Sequence, residues 1–156
     1  MGRNYVVTFE QVAVSAVQDL LQIKGAAGKM LRIKRVWWGS TDTAIPTSQM
    51  ISTRCRYLPA AVTDGSGGSS PTPAAFDPGT GAASFTAKAN NTTKATSSGT
   101  AITMEESGDH IYNGYSRAFA DPPAVGPSES FVFELLSTVS GTVHLSGGAE
   151  VEELGG

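Results

Sequence analysis

At 156 residues the chain is short enough for one domain and long enough to bury a core, and it is 40% hydrophobic but only 16% charged. With 18 Gly and 8 Pro, plentiful Ser and Thr, and no long Leu/Ala/Glu/Lys runs, the composition argues against a helical bundle and for β structure. A net charge of -3, one cysteine and no apolar run of membrane-spanning length argue against a basic nucleic-acid binder, an internally disulfide-bridged domain and a transmembrane helix.

The N-terminus lacks the apolar core of a signal peptide, and Val6 stands where a myristoylation signal needs Ser or Thr. Tyr5, Val7 and Phe9 then alternate as one face of a strand. The inward parity slips before Val12 and Val14, which predicts a bulge or a break. Leu20–Lys24 reads as a strand, Gly25–Gly28 as a short hairpin loop, and Met30–Trp38 as the second strand of that hairpin. In this second strand Leu31 and Ile33 point inward, with Arg32 and Lys34 outward. Gly39–Pro46 is a polar loop. Gln49–Leu58 places Ile51, Thr53, Cys55 and Tyr57 on one face and Arg54 and Arg56 on the other. Cys55 is thereby a small buried hydrophobe rather than a nucleophile.

Pro59–Gly81 is a long irregular segment centred on Asp64–Ser70. It is expected to be mobile, or ordered by a neighbouring molecule, so that deleting Asp64–Ser70 leaves stability nearly unchanged. Ala82–Ala89 carries a strand with Phe85 and Ala87 inward, followed by a turn at Asn90–Thr93. Ala101–Met104 is a strand with Ile102 and Met104 inward, ending at Glu105–Asp109. A further short strand lies between His110 and Phe119, and Asp121-Pro122-Pro123 is extended. Phe131, Phe133 and Leu135 share a parity around Glu134, and Thr142–Ser146 turns Val143 and Leu145 inward; the two are expected to form a core hairpin. Gly147–Gly156 reads as a weak strand or tail. Taken as one domain over 1-156, about eight or nine short strands without a helix predict an all-β, antiparallel, jelly-roll-like sandwich.

No motif specifies a reaction. Gly25–Met30 has two residues between its glycines where a phosphate-binding loop has four, and Gly126–Ser130 lacks the last glycine of a nucleophile elbow. His110 with Asp109, Glu105 and Glu106 reads as a solvated turn, His144 alternates away from the core, and Asp64 and Asp77 are too sparse for calcium. Asn90-Asn91-Thr92 matches a glycosylation acceptor without a secretory signal beside it. The expectation is a protein without catalytic residues, metal or cofactor.

Charge and aromatics give the candidate interface. Lys24–Arg56 holds seven basic residues against Asp42, and the chain from Glu105 onward holds nine acidic residues against Arg117. These blocks are expected to meet within or between subunits. Arg32, Lys34, Arg54 and Arg56 would form one basic face if their strands were neighbours, opposed by Glu150, Glu152 and Glu153 or by an acidic partner. Consecutive Trp37 and Trp38 must point to opposite sheet faces, so one needs a cover, and Tyr112 and Tyr115 add amphipathic aromatic surface.

The Gly/Ser/Thr/Pro-rich loop, the strand Gly126-Pro127-Ser128-Glu129-Ser130-Phe131-Val132-Phe133-Glu134 and the run Gly141–Gly148 resemble, in overall style across the chain, small virion proteins of tailed bacteriophages. These are capsid decoration (cement) proteins and related jelly-roll head proteins. The resemblance implies a structural protein made in the host cytoplasm and carried on the capsid surface. It also implies a homo-oligomer, trimer favoured, bound to a major capsid protein or another virion protein, with no nucleic acid or membrane as partner. The alternative is a carbohydrate- or receptor-binding sandwich module of a tail or fibre, stacking exposed aromatics on sugars.

Overall fold

The computed structural model describes residues 2–155. Its strands are β1 (Arg3–Val14), β2 (Gln18–Lys24), β3 (Met30–Ser40), β4 (Met50–Leu58), β5 (Val62–Thr63), β6 (Ala74–Ala75), β7 (Thr86–Asn91), β8 (Thr96–Ser97), β9 (Ile102–His110), β10 (Tyr115–Ala118), β11 (Ala124–Val125), β12 (Ser130–Leu135) and β13 (Val143–Leu154). One sheet has the order β10-β3-β13-β1-β6, with β11 beside β10 on β3, and the other has the order β7-β2-β12-β4-β9. All pairings are antiparallel. Leaving aside β7 and the two-residue strands, the sheets read β1-β13-β3-β10 and β2-β12-β4-β9. That is the jelly-roll arrangement the sequence predicts, with β7 added at one edge.

The two expected hairpins do not form. β2 and β3 belong to opposite sheets, and so do β12 and β13. Alternation reports which side chains point inward, and both sheets face the same core, so parity cannot assign a strand to a sheet. The turn after β2 shows the physical reason. The Gly25 amide bonds to Glu129 O at 3.0 Å, continuing the β2–β12 pairing to its end. A Cβ on Gly25 would collide with Gly126 O, so glycine permits this close approach before the chain crosses to β3.

The bulge expected in β1 is present. Register shifts between Phe9 and Val12, where Gln11 takes φ 49 and its N–H donates to Ser146 Oγ at 2.9 Å. Tyr5, Val7, Phe9, Val12 and Val14 therefore all reach the core. Residues 147–154 are no weak tail: they belong to β13, which pairs with β1 on one side and β3 on the other. Gly147 and Gly148 sit where a Cβ would strike the Trp37 and Val7 carbonyls, so these glycines mark close backbone approach rather than a fraying end.

Two further readings are corrected. β9 runs through Glu105–Asp109 to His110, and Ile102 and Met104 are 53% and 38% exposed rather than inward. A register shift opposite Cys55 and Arg56 moves β9 out of the alternation that its first residues set. The long segment is also pinned. Val62–Thr63 pairs with Thr96–Ser97, and isolated bridges join Ser66 to Thr93 and Ser69 to Ala89. Gly65 N–H donates to Gln22 Oε1 (3.1 Å), and Asp64 Oδ1 accepts from Gln22 (2.9 Å) and Lys24 (3.0 Å). The insertion 59–101 thus lies over the outer face of the β2-β12-β4 sheet. It then passes round the sandwich, placing β7 on β2 and β6 on β1. Leu58, Ala95 and Val132 form a second small core beneath it.

Deleting Asp64–Ser70 would remove these bonds, so the expected indifference is replaced by a loss of stability. A milder test is Gly68→Ala, whose Cβ would meet the carbonyl oxygens of Ala89 and Asn90. Overpacking against fixed backbone costs about 1–3 kcal/mol. Urea unfolding should show that loss, and an unchanged midpoint would mean that the insertion floats free of the sheet.

Candidate functional site

The residues singled out in the sequence fall into three places. Arg32, Lys34 and Trp37 lie on the outer face of the β3-β13-β1 sheet. There Arg32 stands across from Glu152, Lys34 Nζ donates to Asn4 Oδ1 (3.2 Å), and Arg35 Nη1 pairs with Glu150 Oε1 (3.2 Å). Trp37 is half-buried, with the Arg35 guanidinium 5.0 Å above its ring and the ring beside Gly148. Its cover is therefore its own chain. Trp38 is the inward partner, 2% exposed in the core.

Arg54 and Arg56 lie on the other sheet, so the expected four-residue basic face does not exist. Their acidic partner is Glu134, a residue of the central strand that is 0% exposed. Arg54 and Arg56 (2.9 Å) both pair with it, and Lys94 reaches down from the insertion to 2.7 Å. A carboxylate taken out of water costs several kcal/mol unless compensated, and three cations supply that compensation. Glu150 and Glu152 do lie against the basic residues of β3, while Glu153 is buried, held by Arg3 and by Ser84 N–H (2.8 Å). The basic and acidic blocks of the sequence meet inside one subunit.

Beside Glu134, Asp19 is buried and accepts the Ala95 N–H at 2.7 Å. Burial, opposed by that hydrogen bond and reinforced by the Glu134 charge, raises the Asp19 carboxyl to about 6. Cys55 is buried as expected, and burial pushes its thiol up to about 12, which leaves no thiolate nucleophile.

Tyr115 acts as an internal brace. Its O–H donates to Glu105 Oε1 (2.7 Å), Arg117 Nε pairs with Glu105 Oε2 (2.9 Å), and its ring lies 5.9 Å from Phe133. Burial first, then the Glu105 hydrogen bond, raises the Tyr115 phenol well above its usual range. Glu105 of β9 thereby laces the two sheets together along one side. Next to this brace a groove of about 500 Å³ is lined by Met104, Phe119, Pro122 and Pro123, with Arg32 and Arg117 at its rim.

Tyr112 remains at the surface, 53% exposed, at one end of the sandwich. It forms a wall of a second cleft, of about 400 Å³, between the β3–β4 loop and the turn after β9. Asp42 of that loop also lines this cleft, and it accepts from His144 Nδ1 (2.8 Å) and from the His144 backbone N–H. The His144 hydrogen bond holds the Asp42 carboxyl below its ordinary value.

The same end brings His110 Nε2 to 2.9 Å from Ser48 Oγ. His110 Nδ1 also accepts the Tyr112 N–H at 3.4 Å. Among the described residues no three His, Cys, Asp or Glu side chains gather as a metal site.

Sequence reasoning missed the Glu134 cluster. A signal was present: Glu134 interrupts a continuous apolar run, and Arg54 and Arg56 alternate on another strand. Glu134→Gln should cost about 3–5 kcal/mol, because it strands three cations at a buried position. For the same reason, replacing Arg54 and Arg56 by Gln should weaken the fold itself. Asp19 acts in the opposite sense. Its folded carboxyl holds a proton up to about pH 6, whereas an unfolded Asp releases it near pH 3.9. Stability from this group is therefore present below about pH 4 and lost as pH rises through 6. Asp19→Asn should gain on the wild type by on the order of 2–3 kcal/mol between acid and neutral pH. Urea midpoints of both proteins at several pH values would show a constant gap if Asp19 titrated normally.

Comparison with known proteins finds no match to this chain among protein families, curated proteins or solved structures.

Proposed function

We propose that this chain is a non-enzymatic structural protein of a tailed-phage virion, a decoration (cement) protein that binds the capsid lattice. The observation that carries the reading is the asymmetry of the sandwich's two sides. One side is sealed, with β6 on β1 and β7 on β2. On the other, β9 pairs only with β4 among the described residues, so its outer edge has no neighbouring strand. That edge carries exposed Ile102 and Met104 and opens into the groove lined by Phe119, Pro122 and Pro123.

An unpaired edge beside an apolar groove suits strand addition. Backbone hydrogen bonds supply affinity, and a side chain seated in the groove supplies selectivity. With Glu105 held by Tyr115 and Arg117, Glu106 and Asp109 give β9 its acidic character, which disfavours pairing with a second β9 and favours a segment with basic residues. A shell subunit offering such a segment is the partner this side fits. Jelly rolls recur in viral shells and in lectins, which supports the reading as an analogy of fold. On this reading the protein is made in the host cytoplasm and carried on the capsid surface as a homo-oligomer, trimer favoured, as the resemblance to such virion proteins implies.

Replacing Ile102 and Met104 by Lys should leave the fold intact, since neither side chain is part of the buried core and a Lys at either position can carry its ammonium into solvent. In the virus that encodes the chain, quantitative mass spectrometry should find the wild-type protein in fixed ratio to the shell protein. The double variant should be depleted on the order of tenfold or more, equivalent to about 1.4 kcal/mol. Equal occupancy by a folded double variant, or absence of the wild type from virions, would overturn the reading.

A further inference from the structure

Independently of any docking at β9, we propose that the end cleft beside Tyr112 binds a neutral saccharide. The argument begins with how Tyr112 is held. Its O–H donates to Pro46 O at 2.8 Å, and its ring meets His110 edge-on, 4.7 Å between centroids at 61°. The ring is thus fixed at both ends while remaining 53% exposed. A fixed, solvent-facing aromatic wall loses little freedom when a ligand lies against it, which is the preorganisation that stacking on a sugar ring requires.

The polar lining suits hydroxyl groups. Thr43 and Asn113 face the cleft, and among the described residues neither has its side chain engaged in a hydrogen bond. The Asp42 carboxylate is held in place by Ser40 Oγ (3.2 Å) and by the His144 ring and backbone N–H, so it lines the cleft as a fixed negative charge. Trp38 also lines the cleft, and its indole N–H is buried without a partner.

Charge selects the ligand class. The lining contains no Lys or Arg and one carboxylate. Sugars bearing sialic acid, uronic acid or phosphate would bring an anion to Asp42 with no cation to receive it. A purely apolar ligand would strand the Thr43, Asn113 and Asp42 side chains in a dry interface. An uncharged molecule with one apolar ring face and hydroxyls round its edge satisfies both constraints, and a pyranose has that form.

The protein carries its own reporter. Of its two tryptophans, Trp38 lines the cleft and Trp37 lies on the outer face of a sheet beneath Arg35. Nitrogen–proton NMR spectra of the full chain would be recorded with maltotetraose, cellotetraose, chitotetraose and lactose, and with sialyllactose as the acidic comparator. The expected result is a saturable shift of the Trp38 indole signal at millimolar concentration for at least one neutral sugar, with Trp37 unmoved. Tyr112→Ala should weaken that binding on the order of tenfold while the rest of the spectrum shows a retained fold. Tyr112→Phe, which keeps the ring, should weaken it less. The proposal is overturned if no neutral sugar moves the Trp38 signal, if sialyllactose binds more tightly than the neutral sugars, or if Tyr112→Ala binds as the wild type does.

Discussion

Much of this structure follows from placing one carboxylate, Glu134, at the centre of a sheet. β12 is the middle strand of its sheet and is buried over all six residues, so Glu134 has no route to water. It requires cations, and β4 supplies two because Arg54 and Arg56 are two residues apart and face the same way. The third, Lys94, comes from the insertion. The same insertion brings Ala95 to close a hydrophobic contact with Leu58 and Val132 and to donate its N–H to Asp19. The insertion is thus held by charge, hydrogen bonds and apolar contact at once. An isolated Gly/Ser-rich segment could not meet the entropy of its own ordering in this way.

This arrangement sets which surfaces are left for partners. By covering the outer face of one sheet and adding a strand to each sheet along one side, the insertion leaves the β9–β10 side as the unsealed one. There the sheets are joined by the Glu105 brace to Tyr115 and Arg117, a polar contact that spans the gap without filling it. The groove beside the brace and the unpaired edge of β9 are the two sides of that incomplete seal. Edge strands are normally shortened, bulged or charged to prevent unwanted pairing. β9 has a bulge and three carboxylates but also two exposed apolar side chains, a mixture that suits a selective contact better than a fully guarded edge.

Parity carried most of the fold in the sequence, and its limits follow from what parity measures. The bulge in β1, the burial of Phe131, Phe133 and Cys55, and the separation of Trp37 from Trp38 were all legible as alternation. Two kinds of fact were not. Alternation cannot say which sheet a strand joins, and so β2–β3 and β12–β13 read as hairpins when each pair spans the sandwich. Alternation also treats the outward face as wet. Arg54, Arg56 and Glu134 do point outward from their sheet, but a segment remote in sequence covers that face. The bridging role of Tyr115 was hidden for a related reason, since a tyrosine bridging two sheets and a tyrosine at an interface share the same local pattern.

The two remaining surfaces differ in how far they are organised in advance, and that bears on what each can recognise. At the end cleft the aromatic wall is tied at its hydroxyl and against His110, Asp42 is tied to His144 and Ser40, and the hollow exists without a ligand. Such a site suits a small rigid molecule, whose few contacts leave little free energy to reorder a loop. On the β9 side the groove is open, and its apolar residues are spread across a strand and a proline-rich connection. An extended peptide can use that surface because it brings many backbone hydrogen bonds and can fit its side chains to the groove. His110 ends β9 and also supports Tyr112, so the strand edge and the cleft share one residue.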